Sequence, residues 1–381
     1  MADRSAGARE TGGVMARSEL RTERDRLKAW LVERAFPLWW DPGADLAGGG
    51  FHDRMDAVGC PIAGPKRARV QARQVFCYGL AADLGWLGPW REAMDHGRVV
   101  LEARFRRPDG LYRNRIDPPD DTVDLYDQAF VLLADACLAA RGDADAPARA
   151  RALLSRLPIE PAGGFAGFNG EALDANPNMH LFEAFLAWTA VTGDGPWREA
   201  AKGQARLAMT RLIDFETGAL SELFGPQWTP PPAPERQVWP GHQFEWAWLL
   251  MRWSLMSGDA PALSAALRLI ELGERAGVDP ERNVAINALD GNLGPIDATT
   301  RLWPQTERLR AHLLAGALTG DETCWDAALK AADGLGLFLD VPTPGLWRDS
   351  LESGDLTAAA SSLYHIVGAI RELDQVVEGR V

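Results

Sequence analysis

The feature that most constrains this chain is an internal repeat. Short turns recur as Gly88-Pro89-Trp90, Gly142-Asp143, Gly193-Asp194-Gly195-Pro196-Trp197, Gly258-Asp259 and Gly320-Asp321, about 50 to 65 residues apart, each followed by an Ala/Leu/Arg-rich amphipathic segment. A second element alternates with it, a glycine followed by a few apolar residues: Gly50-Phe51, Gly110-Leu111-Tyr112, Gly164-Phe165, Gly218-Ala219-Leu220 and Gly345-Leu346-Trp347. These read as short hairpins or extended loops. After each comes a long apolar helix, six in all, near 66–84, 124–140, 176–192, 240–257, 303–319 and 357–373. The six are apolar on nearly every side, whereas segments such as 197–213 and 260–276 carry charge on one face only. That contrast predicts inner and outer helices: an all-α fold, an (α/α)6 barrel, with short β-hairpin loops and the N-termini of the inner helices gathered at one rim.

No composition break divides the chain. Residues 1–20 read as a disordered lead-in without the apolar stretch of a secretory signal, and 21–381 as one catalytic domain. Pro230-Pro231-Pro232-Ala233-Pro234 reads as a stiff surface excursion. A net charge of -13 argues against nucleic acid or anionic lipid as a partner. No apolar run approaches the roughly 18 residues of a membrane-spanning helix. The cysteines Cys60, Cys77, Cys137 and Cys324 form no metal-binding or disulfide pattern, which fits a reducing cytoplasm. The chain is expected to act as a monomer or homodimer on a small molecule. Fifteen Trp against four Tyr suit either core filling or a pocket for sugar C–H faces.

Three of the six histidines share a position. His180, His242 and His365 fall in the first turns of the third, fourth and sixth inner helices, so a toroid brings them together at its mouth. A single one reads as a core or capping histidine; three in equivalent places point to a site. His96 and His312 lie deeper in helical patterns and read as structural. Glu183 and Glu245 stand three residues after His180 and His242, on the same helix faces, where a carboxylate raises an imidazole pKa and fixes its tautomer. Asn176, Tyr126, Trp303, Gln305 and Glu307 open neighbouring inner helices, and Arg69, Arg73 and Gln74 occupy the first. Moving a proton between C1 and C2 of an aldose needs a base, its conjugate acid and a donor for the enediolate oxygen. Two histidines and an arginine supply these without an organic cofactor. A metal is the competing use of three histidines, but no HxH or HExxH spacing supports it, and neither a dinucleotide nor a phosphate loop is present.

Gly49-Gly50-Phe51, Arg69 to Gln74, Asn176 to Glu183, Gly241 to Glu245, Leu302 to Glu307 and Leu363-Tyr364-His365 together resemble the N-acylglucosamine 2-epimerase superfamily over residues 25–375. That superfamily includes mannose isomerases, sulfoquinovose isomerases and cellobiose 2-epimerases. The resemblance implies the (α/α)6 barrel and proton transfer through a cis-enediolate. It also implies His242 and His365 as the acid/base pair, His180 in ring opening or oxygen binding, Arg73 near the enediolate, and Asn176, Glu245, Trp303, Gln305 and Glu307 lining the pocket with Tyr126. No cofactor and no metal are implied. The Ala72-Arg73-Gln74-Val75-Phe76 stretch is similar to the bacterial mannose isomerases, which implies an unphosphorylated substrate, D-mannose to D-fructose foremost. Two-epimerisation of N-acylglucosamine, mannose or cellobiose is the near alternative. An inverting glycoside hydrolase, using Glu245 with Glu307 or Asp127, and a non-catalytic sugar-binding protein are the rivals from other classes.

Overall fold

A helix that is apolar on nearly every face is stable only when other helices surround it. The computed structural model describes residues 2–168, 170, 172–193 and 195–380, with side chains from Met15 onward; Asp194 of the third turn therefore lies outside the described residues. In chain order the helices are α1 (Ala2–Trp30), α2 (Phe36–Trp40), α3 (Ala68–Ala81), α4 (Trp90–Val100), α5 (Leu125–Ala140), α6 (Ala146–Leu154), α7 (Ala175–Thr192), α8 (Pro196–Leu207), α9 (Pro240–Ser257), α10 (Ala260–Gly277), α11 (Leu302–Thr319), α12 (Glu322–Leu339) and α13 (Ser362–Val377). The odd-numbered helices from α3 to α13 pack each on the next, and α13 packs back on α3, which closes an inner ring. Helices α4, α6, α8, α10 and α12 each lie outside the inner helix they follow or precede, and α1 packs on α12 and α13 to complete the outer layer. Burial follows the sequence pattern. Twelve consecutive residues of α5, Asp127 to Leu138, are buried, whereas α10 buries one stripe that includes Ala262, Ala266, Leu269, Ile270 and Gly273.

The Gly-Asp turns have a specific cause. Gly258 and Gly320 cap α9 and α11 in the left-handed region, at φ 76° and 69°. The aspartates that follow cap the next outer helices, Asp259 accepting from the Ala262 amide and Asp321 from the Thr323 amide. Each such cap contributes about 1 kcal/mol and sets the angle at which the chain reverses.

α1 begins at Ala2, within the segment expected as a lead-in, and its Ala16 and Leu20 are buried. The amphipathic spacing of Ala16, Leu20, Leu27 and Leu31 is what holds this helix on the barrel. The rim strands are less local than predicted. The glycine loops close on themselves through single bridges, Ala44–Phe51, Arg106–Tyr112, Ile159–Phe165 and Ile213–Leu220. The two-residue strands pair between loops: β1 (Arg54–Met55) with β10 (Ala358–Ala359), β2 (Lys66–Arg67) with β3 (Arg115–Ile116), and β4 (Leu173–Asp174) with β5 (Leu223–Phe224). Only around β8 (Val284–Asp290) does a larger sheet form, with β6 (Gln237–Val238), β7 (Val278–Asp279) and β9 (Pro295–Thr300).

A buried amide fixes each rim loop to an inner helix. The Gln71 side chain accepts from the Phe51 amide at 2.7 Å and donates to its carbonyl at 3.0 Å. Gln128 does the same to Tyr112, Asn178 to Phe165, Gln243 to Leu220 and Gln305 to Ala285. In each case a side-chain amide replaces the missing strand partner of one residue. The clamp also explains two glycines: a Cβ on Gly50 (φ 84° neighbour Gly49, itself φ 79°) would meet Gln71 Oε1 at 2.6 Å, and one on Gly164 would meet Asn178 Oδ1 at 3.0 Å. Gln305, expected to line the sugar pocket, is a clamp instead; its amide is fully used by Ala285 and the Arg301 carbonyl. Gln305→Ala leaves a buried N–H and C=O of Ala285 unpaired. Urea unfolding is expected to show a loss of about 2–4 kcal/mol.

Candidate active site

The clamps set the register of everything that faces the barrel interior. Two residues after each amide, on the same inner helix, stand Arg73, Phe130, His180, Glu245 and Glu307, and His365 holds the matching place on α13. Two residues before each stand Arg69, Tyr126, Asn176, Gly241 and Trp303, with Ser361 matching. A cavity of about 130 Å³ at the N-terminal mouth is lined by Arg73, Tyr126, Asn176, His180, His242, Glu245, Trp303 and His365, together with Trp239, Arg301, Ser361 and Ser362. Eight of the ten residues expected from the sequence therefore meet in one place. Gln305 and Glu307 do not line it. The cavity opens into an antechamber of about 640 Å³ through shared walls at Arg73, Tyr126, Asn176, Arg301 and Ser361.

Two imidazoles are held by carboxylates. His242 Nδ1 lies 2.6 Å from Glu222 Oε2, and His365 Nδ1 lies 2.8 Å from Glu307 Oε1. A carboxylate at Nδ1 takes the N–H, so each ring presents an unprotonated Nε2 for proton transfer. Both rings flank Trp303, with centroids 4.9 Å and 5.8 Å from it, so they face one pocket. Trp239 stacks on the other side of His242 at 4.9 Å. The partners differ from those suggested by spacing: Glu245 does not bond His242, and Glu183 stands 3.7 Å from His180 Nδ1, which has no hydrogen-bond partner. Glu222 lies in the loop before β5, twenty residues from His242, and no local pattern singled it out. Arg310 was also missed, although its place three residues after Glu307 on an apolar helix was a signal.

Arg310 organises the layer beneath. It donates to Glu307 Oε2 at 2.8 Å, approaches Glu183 Oε1 at 3.5 Å, and lies 3.7 Å over the Trp248 ring. Tyr364 donates its hydroxyl to Glu183. Burial pushes the Glu183 carboxyl up, but the facing His180 imidazole, the Arg310 guanidinium and the Tyr364 hydroxyl outweigh it and hold the group at about 2. Glu245 is the opposite case. Burial, with Glu307 and Glu183 nearby, drives its pKa far up, and neither of its oxygens has a partner. It favours its protonated form more than an ordinary carboxyl does and turns free hydrogen-bonding capacity to the cavity. Burial lowers His180 to about 3, and burial with the Arg73 and Arg310 charges takes His365 well below the usual imidazole range. Both rings are neutral, as a base must be. Arg73 donates to the Tyr126 hydroxyl at 2.6 Å and packs 4.1 Å over Phe130, with its Nε unpartnered. It is a fixed positive charge beside the imidazoles.

Two sets of metal-ligand types, His180 with Glu183 and Glu245, and Glu245 with Glu307 and His365, bring their atoms within 4.8 Å of one another. In both sets Glu183 or Glu307 is already committed to Arg310, and the atoms left free belong to Glu245, His180 and His365 Nε2. His96 and His312 are structural as expected, bonded to the Gly50 carbonyl at 3.0 Å and to Glu274 at 2.8 Å.

The profile of the N-acylglucosamine 2-epimerase (GlcNAc 2-epimerase) family matches residues 49–369. The chain belongs to that family. A relative from Rhizobium meliloti (strain 1021), named mannose-6-phosphate isomerase, is 40% identical, covering 94% of this chain and 99% of its own. One from Thermobifida fusca, named D-mannose isomerase, is 28% identical over 90% of this chain and 95% of its own. A crystal structure of D-mannose isomerase superposes with a TM-score of 0.83 at 20% identity, covering 94% and 97% of the two chains. The enzyme is thus a sugar isomerase or epimerase, and its barrel is that of its relatives.

Two predictions follow from the buried charges. Glu222→Gln keeps the shape at His242 but removes the charge that stabilises its protonated form; kcat is expected to fall about 100-fold with little change in KM or melting temperature. His180, neutral in the fold and near 6.5 when unfolded, contributes stability above pH 6.5 that is lost as pH falls toward 3, because only the unfolded chain takes up the proton. Between pH 6.5 and 5, wild-type unfolding free energy should drop relative to His180→Gln by about 1–2 kcal/mol.

Proposed function

We propose that the enzyme interconverts a free aldose and its ketose, D-mannose and D-fructose foremost, by proton transfer through a cis-enediolate. One observation carries the reading: two carboxylate-oriented imidazoles, His242 and His365, flank one small cavity that also holds Arg73. An imidazole Nε2 removes the C2 proton of the open-chain aldose. The C–H electron pair enters the C1–C2 bond, and O1 takes up negative charge beside Arg73. Return of a proton to C1, with transfer of the O2 proton to O1, gives the ketose; return to the other face of C2, with re-formation of the C1 carbonyl, gives the epimer. We assign His180 and Asn176, which line the same cavity, to the ring oxygens, and Glu245, with both oxygens free, to a sugar hydroxyl. The flat faces of Trp239 and Trp303 suit the sugar's C–H surface.

The hydrolase reading fares worse. Among the described residues Glu245 is the one carboxyl lining the cavity, so the pair of carboxyl groups that hydrolysis needs does not face it. Glu307 is committed to His365 and Arg310, and Asp127 to Arg69 and Asn114. A phosphorylated substrate is a second reading, favoured by the 40% identical relative's name and by Arg301, which lines the mouth with no carboxylate partner among the described residues. Against it, the antechamber carries Asp120, Asp124 and Asp174, and its Arg69 is taken by Asp124 and Asp127. We also place the enzyme in the cytoplasm, in keeping with four cysteines that are all free thiols; among the described residues no helix is long and apolar enough to cross a membrane.

NMR of mannose incubated in deuterium oxide is expected to show fructose carrying deuterium at C1, and His242→Ala and His365→Ala each to reduce the rate by about 100-fold or more. Deuterium at C2 of glucose in place of fructose would make the enzyme an epimerase. Mannose 6-phosphate is expected to show a kcat/KM at least about 10-fold below that of mannose, because Asp120, Asp124 and Asp174 offset the arginines of the antechamber and leave no surplus positive charge for a phosphate.

A further inference from the structure

The barrel has a second interior cavity. At the C-terminal ends of the inner helices lies a well of about 440 Å³ that shares no lining residue with the sugar cavity. Glu183, tied to Tyr364 and Arg310, lies where the well approaches the catalytic layer. Its walls are largely apolar, with Phe76, Leu133, Leu186 and Trp248 among them. A volume in this range suits a small ligand with most of its surface buried.

The charges in the well do not balance pairwise. Arg252 on α9 and Arg371 on α13 both line it, both are partly buried, and among the described residues neither has a hydrogen bond or ion pair to a carboxylate. Arg252 has only a ring contact, 5.9 Å from the Trp248 centroid. Of the carboxylates in the well, Asp83 pairs with Arg141, Glu183 with Tyr364 and Arg310, and Glu372 accepts from the Trp248 indole at 3.1 Å through Oε2 while its Oε1 has no partner. Burial and the neighbouring Arg252 lower the Arg371 pKa against the pull of Glu372. The helix C-termini around the well carry about half a charge each, too diffuse to satisfy the N–H groups of a guanidinium fork.

We propose that this well binds a small organic anion, with its carboxylate on Arg252 and Arg371 and its apolar body against Phe76, Leu133, Leu186 and Trp248. Two guanidiniums that repel each other become mutually compatible when an anion lies between them, and a carboxylate matches their planar geometry. The apolar walls exclude a bare inorganic ion as the natural ligand, because they leave its remaining oxygens without partners. Sugar isomerisation does not enter this inference.

Thermal unfolding of the full chain with hexanoate, and with hexan-1-ol at the same concentration and ionic strength, tests it. Hexanoate near saturation is expected to raise the melting temperature by about 3 °C, hexan-1-ol to leave it unchanged, and the hexanoate shift to add to that of mannose. Arg252→Gln/Arg371→Gln is expected to abolish the hexanoate shift and keep the mannose shift. Ala187→Phe, which fills the well and leaves both arginines, is expected to do the same. No shift with hexanoate, an equal shift with hexan-1-ol, or a shift retained in both variants would overturn the proposal.

Discussion

The interaction on which the rest depends is the buried amide that ties each rim loop to the inner helix behind it. A loop at the mouth of a helical ring has no sheet to satisfy its backbone, and an unpaired buried N–H or C=O costs about 1–3 kcal/mol. Gln71, Gln128, Asn178, Gln243 and Gln305 each satisfy both groups of one loop residue. Each bond pair fixes the rotation of its helix, and the side chains two positions on are then aimed at the barrel axis. Arg73, His180, Glu245 and Glu307 converge for that reason, although they come from four helices, and His365 joins them from α13, held by Glu307.

Convergence alone would bring an unworkable set of charges together. Four carboxyls, three imidazoles and two guanidiniums lie within or directly beneath the cavity. Most of the charges are paired, Glu222 with His242, Glu307 with His365 and Arg310, and Glu183 with Tyr364 and Arg310, while burial and the neighbouring carboxylates favour the protonated form of Glu245. The same pairing performs the chemistry. A carboxylate behind an imidazole fixes which nitrogen is free and stabilises the cation formed on taking a proton, while Arg73 keeps its charge for the oxygen that becomes negative.

The helical frame was legible because its causes are local. Apolar residues all round a helix, and a glycine followed by a capping aspartate, are written in consecutive residues; five of the six inner helices start within about two residues of their expected positions. The last starts at Ser362 because the preceding residues form β10, which pairs with β1 to join the two ends of the ring. The three site histidines were legible from their equivalent places. Their partners were not. Glu222 reaches His242 from a loop, and spacing along one helix pointed to Glu245 instead. Gln305 and Glu307 are near neighbours on α11 that looked alike from the sequence, yet one clamps a strand and the other orients His365. Which face of a helix a polar residue takes is decided by the loop it must satisfy, and that loop is distant in the chain.

The claim that distant imidazoles serve one sugar is tested most directly by a crystal structure with an open-chain alditol such as mannitol. The account predicts C1 and C2 of the ligand within about 3.5 Å of Nε2 of His242 or His365, with an adjacent hydroxyl on Arg73. An alditol seated wholly in the antechamber, or bound with both imidazoles out of reach of C1 and C2, would contradict it.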